Sequence, residues 1–313
     1  MACPEAPRKR RLARPGRPGL SGRVAILSIQ SQVVRGAVGN SGATLILSRL
    51  GHEVWPLPTV LLSHHPGHGG ARGGPLDPDR LASLLDGLEA RGTFGDCAAV
   101  LSGYLGGAPA AGIVVRAVAL ARAANPGALF VLDPVMGDLG RTYVPETLVA
   151  AIRARLLPEA DIVLPNPYEL GLLAGAEPGD REEAFAALAA LPTPIALLTG
   201  FAGADTPART LDILLAAGET RLIATVPRIE GHFSGAGDAF AALFLGRYLH
   251  RRDAEAALRA AAAAMTRLLQ ATRAAGADEL AIVAADAAWT APSAADAIGV
   301  AQWQPGKAGC KSS

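Results

Sequence analysis

The stretch GHFSGAGDAFAALFLGRYL (231–249) sets one carboxylate, Asp238, behind a run of tiny residues and at the head of an alanine-rich apolar run. Glycines let the backbone curl, and the first turn of a helix carries N–H groups without intrahelical partners. Gly235, Ala236 and Gly237 could therefore form an anion pocket reinforced by the helix dipole, with Asp238 beside a bound phosphate as a proton acceptor. From these four residues alone the plainer reading, an acid favouring a helix start, is the stronger one. No G-K-[ST] follows, so this is not a Walker A loop, and Phe240 stands where a dinucleotide fingerprint needs its third glycine.

Other candidates are spread along the chain. VLDPVMGDLG places Asp133 and Asp138 five residues apart, which suits Mg²⁺ shared with substrate phosphates or equally a surface turn. LPNPYEL offers Asn166 and Glu169, either to hold water around a metal and phosphates or to cap a helix. SIQS puts the Ser31 hydroxyl where a polar ring could bind or a turn could form. SHHPGHGG contains His64, His65 and His68; without a further ligand cluster it reads as a glycine-hinged loop near a substrate rather than a zinc site. Each signal is weak alone. Together, an anion pocket, a neighbouring acid and two more acids for metal point to phosphoryl transfer, which rests on positioning, Mg²⁺ and one base.

Positioning these groups requires a scaffold. RVAILSIQ (23–30), HEVWPLPTV (52–60), CAAVLSG (97–103), ALFVLDPV (128–135), ADIVLPN (160–166) and PIALLTG (194–200) read as strands. Helical patterns at 39–51, 77–92, 109–125, 145–157, 167–175 and 180–190 alternate with them. Asn40 or Ser41 is the expected cap of the first helix, and Leu61–Pro75 is expected to be a loop. A hairpin over 210–217 and 220–227 and two long helices, 235–250 and 253–274, follow. Strand–helix alternation at this spacing predicts an α/β fold with a mostly parallel sheet covered on both faces. In such sheets ligands gather beyond the carboxyl ends of the strands. Gln30, Ser31, Gly103, Tyr104, Asp133, Asn166, Thr199 and Gly200 fall there.

The bulk properties narrow the function. The chain has 313 residues, half of them hydrophobic, and a net charge of +1, so it offers no strong field for nucleic acid or anionic lipid. No apolar run is long enough to span a membrane. Lys9, Lys307 and Lys311 are the only lysines, which nearly excludes Schiff-base chemistry from the body of the chain and disfavours a PLP-dependent enzyme. Cys3, Cys97 and Cys310 show no paired spacing, and Cys97 reads as a buried reduced thiol. Residues 1–22 read as a disordered basic tail, with an organelle-targeting or RNA-contacting arm as the alternative. The body, 23–290, reads as one domain, and 291–313 as a loosely ordered tail.

The segment ILSIQSQVVRGAVGNSGATLILSRLGHEVWPLPTVLLSHHPGHG (26–69) closely resembles the opening of pyridoxal kinases. LSGYLG (101–106), LDPVMGD (132–138), ADIVLPNPYELGLLAG (160–175) and SGAGDAFAALFL (234–245) continue the resemblance in order, over about residues 23–285. It implies a ribokinase-like three-layer fold and ATP-dependent phosphorylation of the 5′-hydroxymethyl group of pyridoxal, with pyridoxine and pyridoxamine as further vitamin B6 substrates. Asp238 would be the base and Gly235, Ala236 and Gly237 the anion hole. Ser31, Val60, Pro66 and Tyr104 would meet the substrate. Asp133, Asn166, Glu169 and Thr199 would serve ATP, with Asp133, Asp138 and Glu169 at Mg²⁺; Asp138 and Tyr143 match a loop near the phosphates. The resemblance also implies a cytoplasmic homodimer, often helped by K⁺.

The chain departs from the family pattern at three places. Pro66 replaces a threonine near the substrate, Leu62 stands where many members have an aromatic residue, and VPRIEGHF (226–233) is shorter than in several relatives. The alternatives are a kinase for another heteroaromatic hydroxymethyl compound, such as the thiamin-precursor pyrimidine, and a non-catalytic vitamin B6 binder. The second would have no use for a base beside an anion pocket.

Overall fold

The computed structural model describes residues 24–290 and 298–305; the expected N-terminal tail lies outside the described residues. Six strands form the parallel part of one sheet: β1 (Ala25–Val33), β2 (Glu53–Leu62), β4 (Cys97–Ser102), β5 (Leu129–Leu132), β8 (Ile162–Val163) and β9 (Ile195–Phe201). Antiparallel strands extend both edges. They are β3 (Gly73–Pro75) beside β2, and β10 (Thr210–Ala217), β11 (Thr220–Pro227) and β12 (Val300–Gln302) beyond β9. The order across the sheet is β12-β11-β10-β9-β8-β5-β4-β1-β2-β3. A separate two-stranded ribbon joins β6 (Gly137–Asp138) to β7 (Arg141–Thr142).

β4, β5 and β8 are almost wholly apolar, as burial on both faces demands, whereas β1 carries the buried polar residues Ser28, Gln30 and Ser31. On one face lie α2 (Pro78–Ala90), α3 (Ala108–Ala124), α4 (Glu146–Ala151), α5 (Pro167–Ala174) and α6 (Arg181–Ala190), packed on a core that includes Leu27, Ile29, Phe130 and Phe185. On the other lie α1 (Asn40–Arg49), α7 (Ala236–Arg251), α8 (Ala254–Ala274) and α9 (Asp286–Thr290), around Ile26, Phe244, Leu258 and the fully buried Trp289. The expected three-layer α/β architecture is therefore present. The chain leaves β1 in one direction to β2 and fills the other side with β4, β5, β8 and β9, so a crevice opens where the winding reverses.

Several local expectations need correction. Neither Asn40 nor Ser41 caps α1: Gly39 holds that position, the Asn40 side chain donates to the Gln30 carbonyl, and Ser41 Oγ donates to the Val33 carbonyl at 2.7 Å. Each side chain is drawn to the end of β1, so both brace the turn rather than the helix. The segment expected as a loop from Leu61 onward begins with the last residues of β2 and closes with β3, because the chain folds back to cover the sheet edge. The helix expected over 145–157 is regular only to Ala151 and then widens into a π-helical turn, Ile152–Leu156, ahead of Pro158. The C-terminal stretch expected to be loose from Ala291 supplies β12, and the Trp303 ring lies 4.8 Å from that of Phe185. Among the described residues no helix is long and apolar enough to cross a membrane. Cys97 is a free, fully buried thiol, and burial pushes its pKa up to about 11.

Candidate active site

The turn before α7 carries the central acid. Gly235 occupies the cap position with φ 85°, and a Cβ there would lie 2.7 Å from the Ala37 carbonyl oxygen, so only glycine fits against the β1–α1 loop. Asp238 follows in the first helical turn. Its Oδ2 accepts the backbone N–H of Gly39 at 2.7 Å, which fixes the carboxylate against the start of α1. Of the three residues read as an anion hole, Ala236 directs its N–H back to the Phe233 carbonyl at 3.1 Å. Gly237 and Asp238 present first-turn N–H groups that lack intrahelical partners by construction.

Asp133, just past β5, reaches the same place: a Cβ on Gly237 would stand 3.7 Å from its Oδ2. Asp133 is only 6% exposed. Burial raises its pKa well above the ordinary carboxylate range, and the negative charges of Glu169 and Asp238 add to the effect. Burial also raises Asp238, opposed by the Gly39 N–H that stabilises the ionised form. Tyr143 shares this neighbourhood: its hydroxyl pKa is raised by burial and by Glu169, Asp138, Asp133 and Asp238. The charges of Glu169 and Asp238 thus act on Asp133, and those of all four acids act on Tyr143.

Of the two roles the sequence allowed, the structure shows the helix cap for Asn166 and Glu169. They form a complete capping box at α5: Asn166 Oδ1 accepts the Glu169 N–H and Glu169 Oε2 accepts the Asn166 N–H, each at 2.9 Å. The same pair holds the loop after β5, because Glu169 Oε1 accepts the Met136 N–H at 3.0 Å and Asn166 Nδ2 donates to the Gly137 carbonyl at 2.8 Å. Burial raises Glu169 to about 8, against the pull of the Asn166, Met136 and Gly137 N–H groups. Asp138 is exposed on the β6–β7 ribbon and accepts the Leu139 N–H. Thr199, in β9, donates its N–H to the Pro165 carbonyl at 3.0 Å, so it sits beside Asn166.

The opposite wall is built by β1, β2 and β4. Parallel pairing of β1 with β2 slips between Gln30 and Gln32, giving β2 an extra residue at Thr59–Val60. Such bulges re-aim side chains, and here Ser31 and Val60 flank the slip. Both are buried, while Tyr104 is half-buried. Thr59 Oγ1 donates to the Tyr104 carbonyl at 2.8 Å, tying β2 to the end of β4. Pro66 begins a short 3₁₀ turn in the exposed histidine loop. Among the described residues no three His, Cys, Asp or Glu side chains form a ready metal cluster, in that loop or around Asp133.

Sequence reasoning missed Gly39 and Glu279. Gly39 was legible only as a glycine in a strand-to-helix turn, whereas its contact with Asp238 is tertiary. Glu279 accepts the Ala37 N–H at 3.2 Å and meets His68 Nε2 at 3.1 Å, from a segment with no motif.

Comparison with known proteins shows the family to which the chain belongs. The family model for phosphomethylpyrimidine kinase matches residues 93–282. The chain is 43% identical over 277 residues to pyridoxal kinase PdxY of Deinococcus radiodurans, covering 85% of this chain and 93% of that protein. It is 41% identical over 276 residues to pyridoxal kinase PdxY of Rubrobacter xylanophilus, covering 87% and 95%. The structure of pyridoxal kinase from Leishmania donovani in complex with ADP and pyridoxine superposes with a TM-score of 0.83 at 33% identity, over 90% of this chain and 99% of that one. With its ribokinase-like architecture, its acid at the head of α7 and this degree of identity along nearly the whole described length, the chain belongs to the pyridoxal kinase family.

Proposed function

We propose that this protein transfers the γ-phosphoryl group of ATP to the 5′-hydroxymethyl oxygen of pyridoxal, and likewise of pyridoxine and pyridoxamine, to make pyridoxal 5′-phosphate and its analogues in vitamin B6 salvage. The observation that carries the reading is the meeting of Asp238, held by Gly39, with Asp133 at the N-terminus of one helix, in the crevice of a fold shared with a pyridoxal kinase bound to ADP and pyridoxine.

The substrate ring lies between Ser31, Val60 and Tyr104, beneath the loop that carries Pro66. Asp238 accepts the proton of the 5′-hydroxyl as the new O–P bond forms. The bond from the γ-phosphorus to the bridging oxygen breaks, and ADP leaves. A carboxylate suffices as base when the transition state is loose and the proton moves late. The Gly235–Gly237 turn offers N–H donors and the positive end of α7 to the charge on the transferred group. Asn166 and Thr199 line the nucleotide side. Burial raises the pKa of Asp133, Glu169 and Asp238, and the neighbouring charges of Glu169 and Asp238 raise Asp133 further, so a divalent ion bound there would favour their ionised forms. Asp133 is the side chain to hold Mg²⁺, with Asp138 nearby, while both Glu169 oxygens are engaged by N–H groups and act from behind. Bound there with ATP, Mg²⁺ would neutralise phosphate charge. The same reading carries a cytoplasmic homodimer and stimulation by K⁺.

The family-model description raises a second reading, in which the acceptor is a hydroxymethylpyrimidine. Coupled ADP release with pyridoxal and with that pyrimidine, followed by mass analysis of the product, separates the two. A gain of one phosphate on pyridoxal at the higher kcat/KM supports the proposal, and preference for the pyrimidine refutes it.

A further inference from the structure

The histidine loop is not slack. Its two ends are clasped by the Ser63 N–H on the Arg72 carbonyl at 2.8 Å and the Arg72 N–H on Ser63 Oγ at 2.9 Å, and His64 Nε2 meets the Gly69 carbonyl at 2.8 Å. From this closed loop two side chains reach across the crevice. His68 Nε2 lies 3.1 Å from Glu279 Oε1, and Glu279 in turn holds the Ala37 N–H, on the strip of backbone against which Gly235 is packed. His65 Nδ1 lies 3.3 Å from Ser234 Oγ and also 3.2 Å from the Gly67 N–H.

The second contact fixes the tautomer. A backbone N–H can only donate, so Nδ1 must present its lone pair and the ring proton sits on Nε2. The Ser234 hydroxyl then donates to the same Nδ1 lone pair, shared with the Gly67 N–H. Burial lowers the His65 pKa, opposed by Glu279 on the segment after α8 and reinforced by His68 on its own loop and His232 before α7, which keeps the ring neutral near pH 7. Ser234 immediately precedes Gly235, so its hydroxyl is the last side-chain handle before the phosphate-binding turn.

We propose that His65 is a positioning residue for phosphoryl transfer, acting through Ser234 to hold the Gly235–Gly237 turn in register with the loop that covers the acceptor. The inference rests on the kinase reading above. His65 touches no reacting atom in this role. It makes the shape of the phosphate turn depend on the position of the acceptor loop, so the donor and acceptor halves of the crevice are set together.

The test is a double-mutant cycle in the full-length protein, reading kcat and the KM for pyridoxal and for ATP. Ser234→Ala removes a single oxygen and leaves packing intact. It is expected to lower kcat about 10- to 100-fold, the scale of a small misplacement at a phosphoryl-transfer centre, with both KM values changed far less. His65→Ala should fall as far, and adding Ser234→Ala to it should cost less than about 2-fold more. His65→Asn, whose Oδ1 can stand where Nδ1 stands, should recover most of the rate. Ser234→Ala at parental kcat, full additivity of the two alanine variants, or no rescue by asparagine would overturn the proposal. Turnover of the parent with pyridoxal distinguishes this failure from failure of the kinase reading itself.

Discussion

The backbone N–H of Gly39 and the carboxylate of Asp238 meet at 2.7 Å although 199 positions separate them in the chain. Gly39 caps α1 and Asp238 lies in the first turn of α7, so this bond ties two helix N-termini together. It also explains how an acid can remain usable in a partly dry site: the N–H stabilises the ionised form while burial pulls the other way.

Gly39 should therefore resist substitution. It has φ 55°, and a Cβ would fall 2.1 Å from the Ser31 carbonyl oxygen, inside backbone that cannot retreat. Gly39→Ala is expected to destabilise the fold by about 2 kcal/mol or more and to depress kcat by displacing Asp238. Urea unfolding and steady-state kinetics on the same preparation check both.

The acids make a prediction about pH. Glu169 is raised from 4.5 to about 8 in the folded protein, and Asp133 and Asp238 are raised in the same direction. Between the unfolded and folded pKa values the folded state binds more protons, so its stability falls as pH rises. Thermal unfolding of the ligand-free protein should give a midpoint that declines from about pH 5 to pH 8. Mg²⁺ with ATP should raise the midpoint, more at pH 8 than at pH 6. Glu169→Gln should flatten the slope.

Asn166 closes the capping box of α5 and grips the Gly137 carbonyl. Asn166→Ala should cost about 1–2 kcal/mol in equilibrium unfolding. It should also raise the KM for ATP more than that for pyridoxal, since the loop it releases leads from Asp133 to Asp138.

Removal of divalent metal should abolish ADP release, and added Mg²⁺ should restore it. Asp133→Asn is expected to demand a higher Mg²⁺ concentration for half-maximal rate, with the KM for pyridoxal little changed. A metal titration of parent and variant provides the measurement.

Much of the scaffold is legible in the sequence because its signals are local. Apolar runs broken by helical periodicity give the parallel strands and most helix limits within a residue or two. The tiny residues before Asp238 mark a turn at a helix start, and Asn166 with Glu169 spells a capping box. What escaped notice depends on contacts between distant segments. Asn40 and Ser41 have cap chemistry, yet the end of β1 claims both side chains. The strands β3, β6, β7 and β12 are two or three residues long and exist only through the partner beside them. Glu279 binds Ala37 from 242 positions away, a separation that no motif spans.

The central claim is that Asp238 takes the proton from the acceptor hydroxyl beside the terminal phosphoryl group. Single-turnover phosphorylation of pyridoxal by Asp238→Asn, with ATP affinity measured in parallel, tests it most directly. The amide keeps the shape and cannot accept the proton, so the chemical step should slow at least about 100-fold while ATP binds as tightly as before. Phosphorylation at the parental rate in that variant would contradict the account.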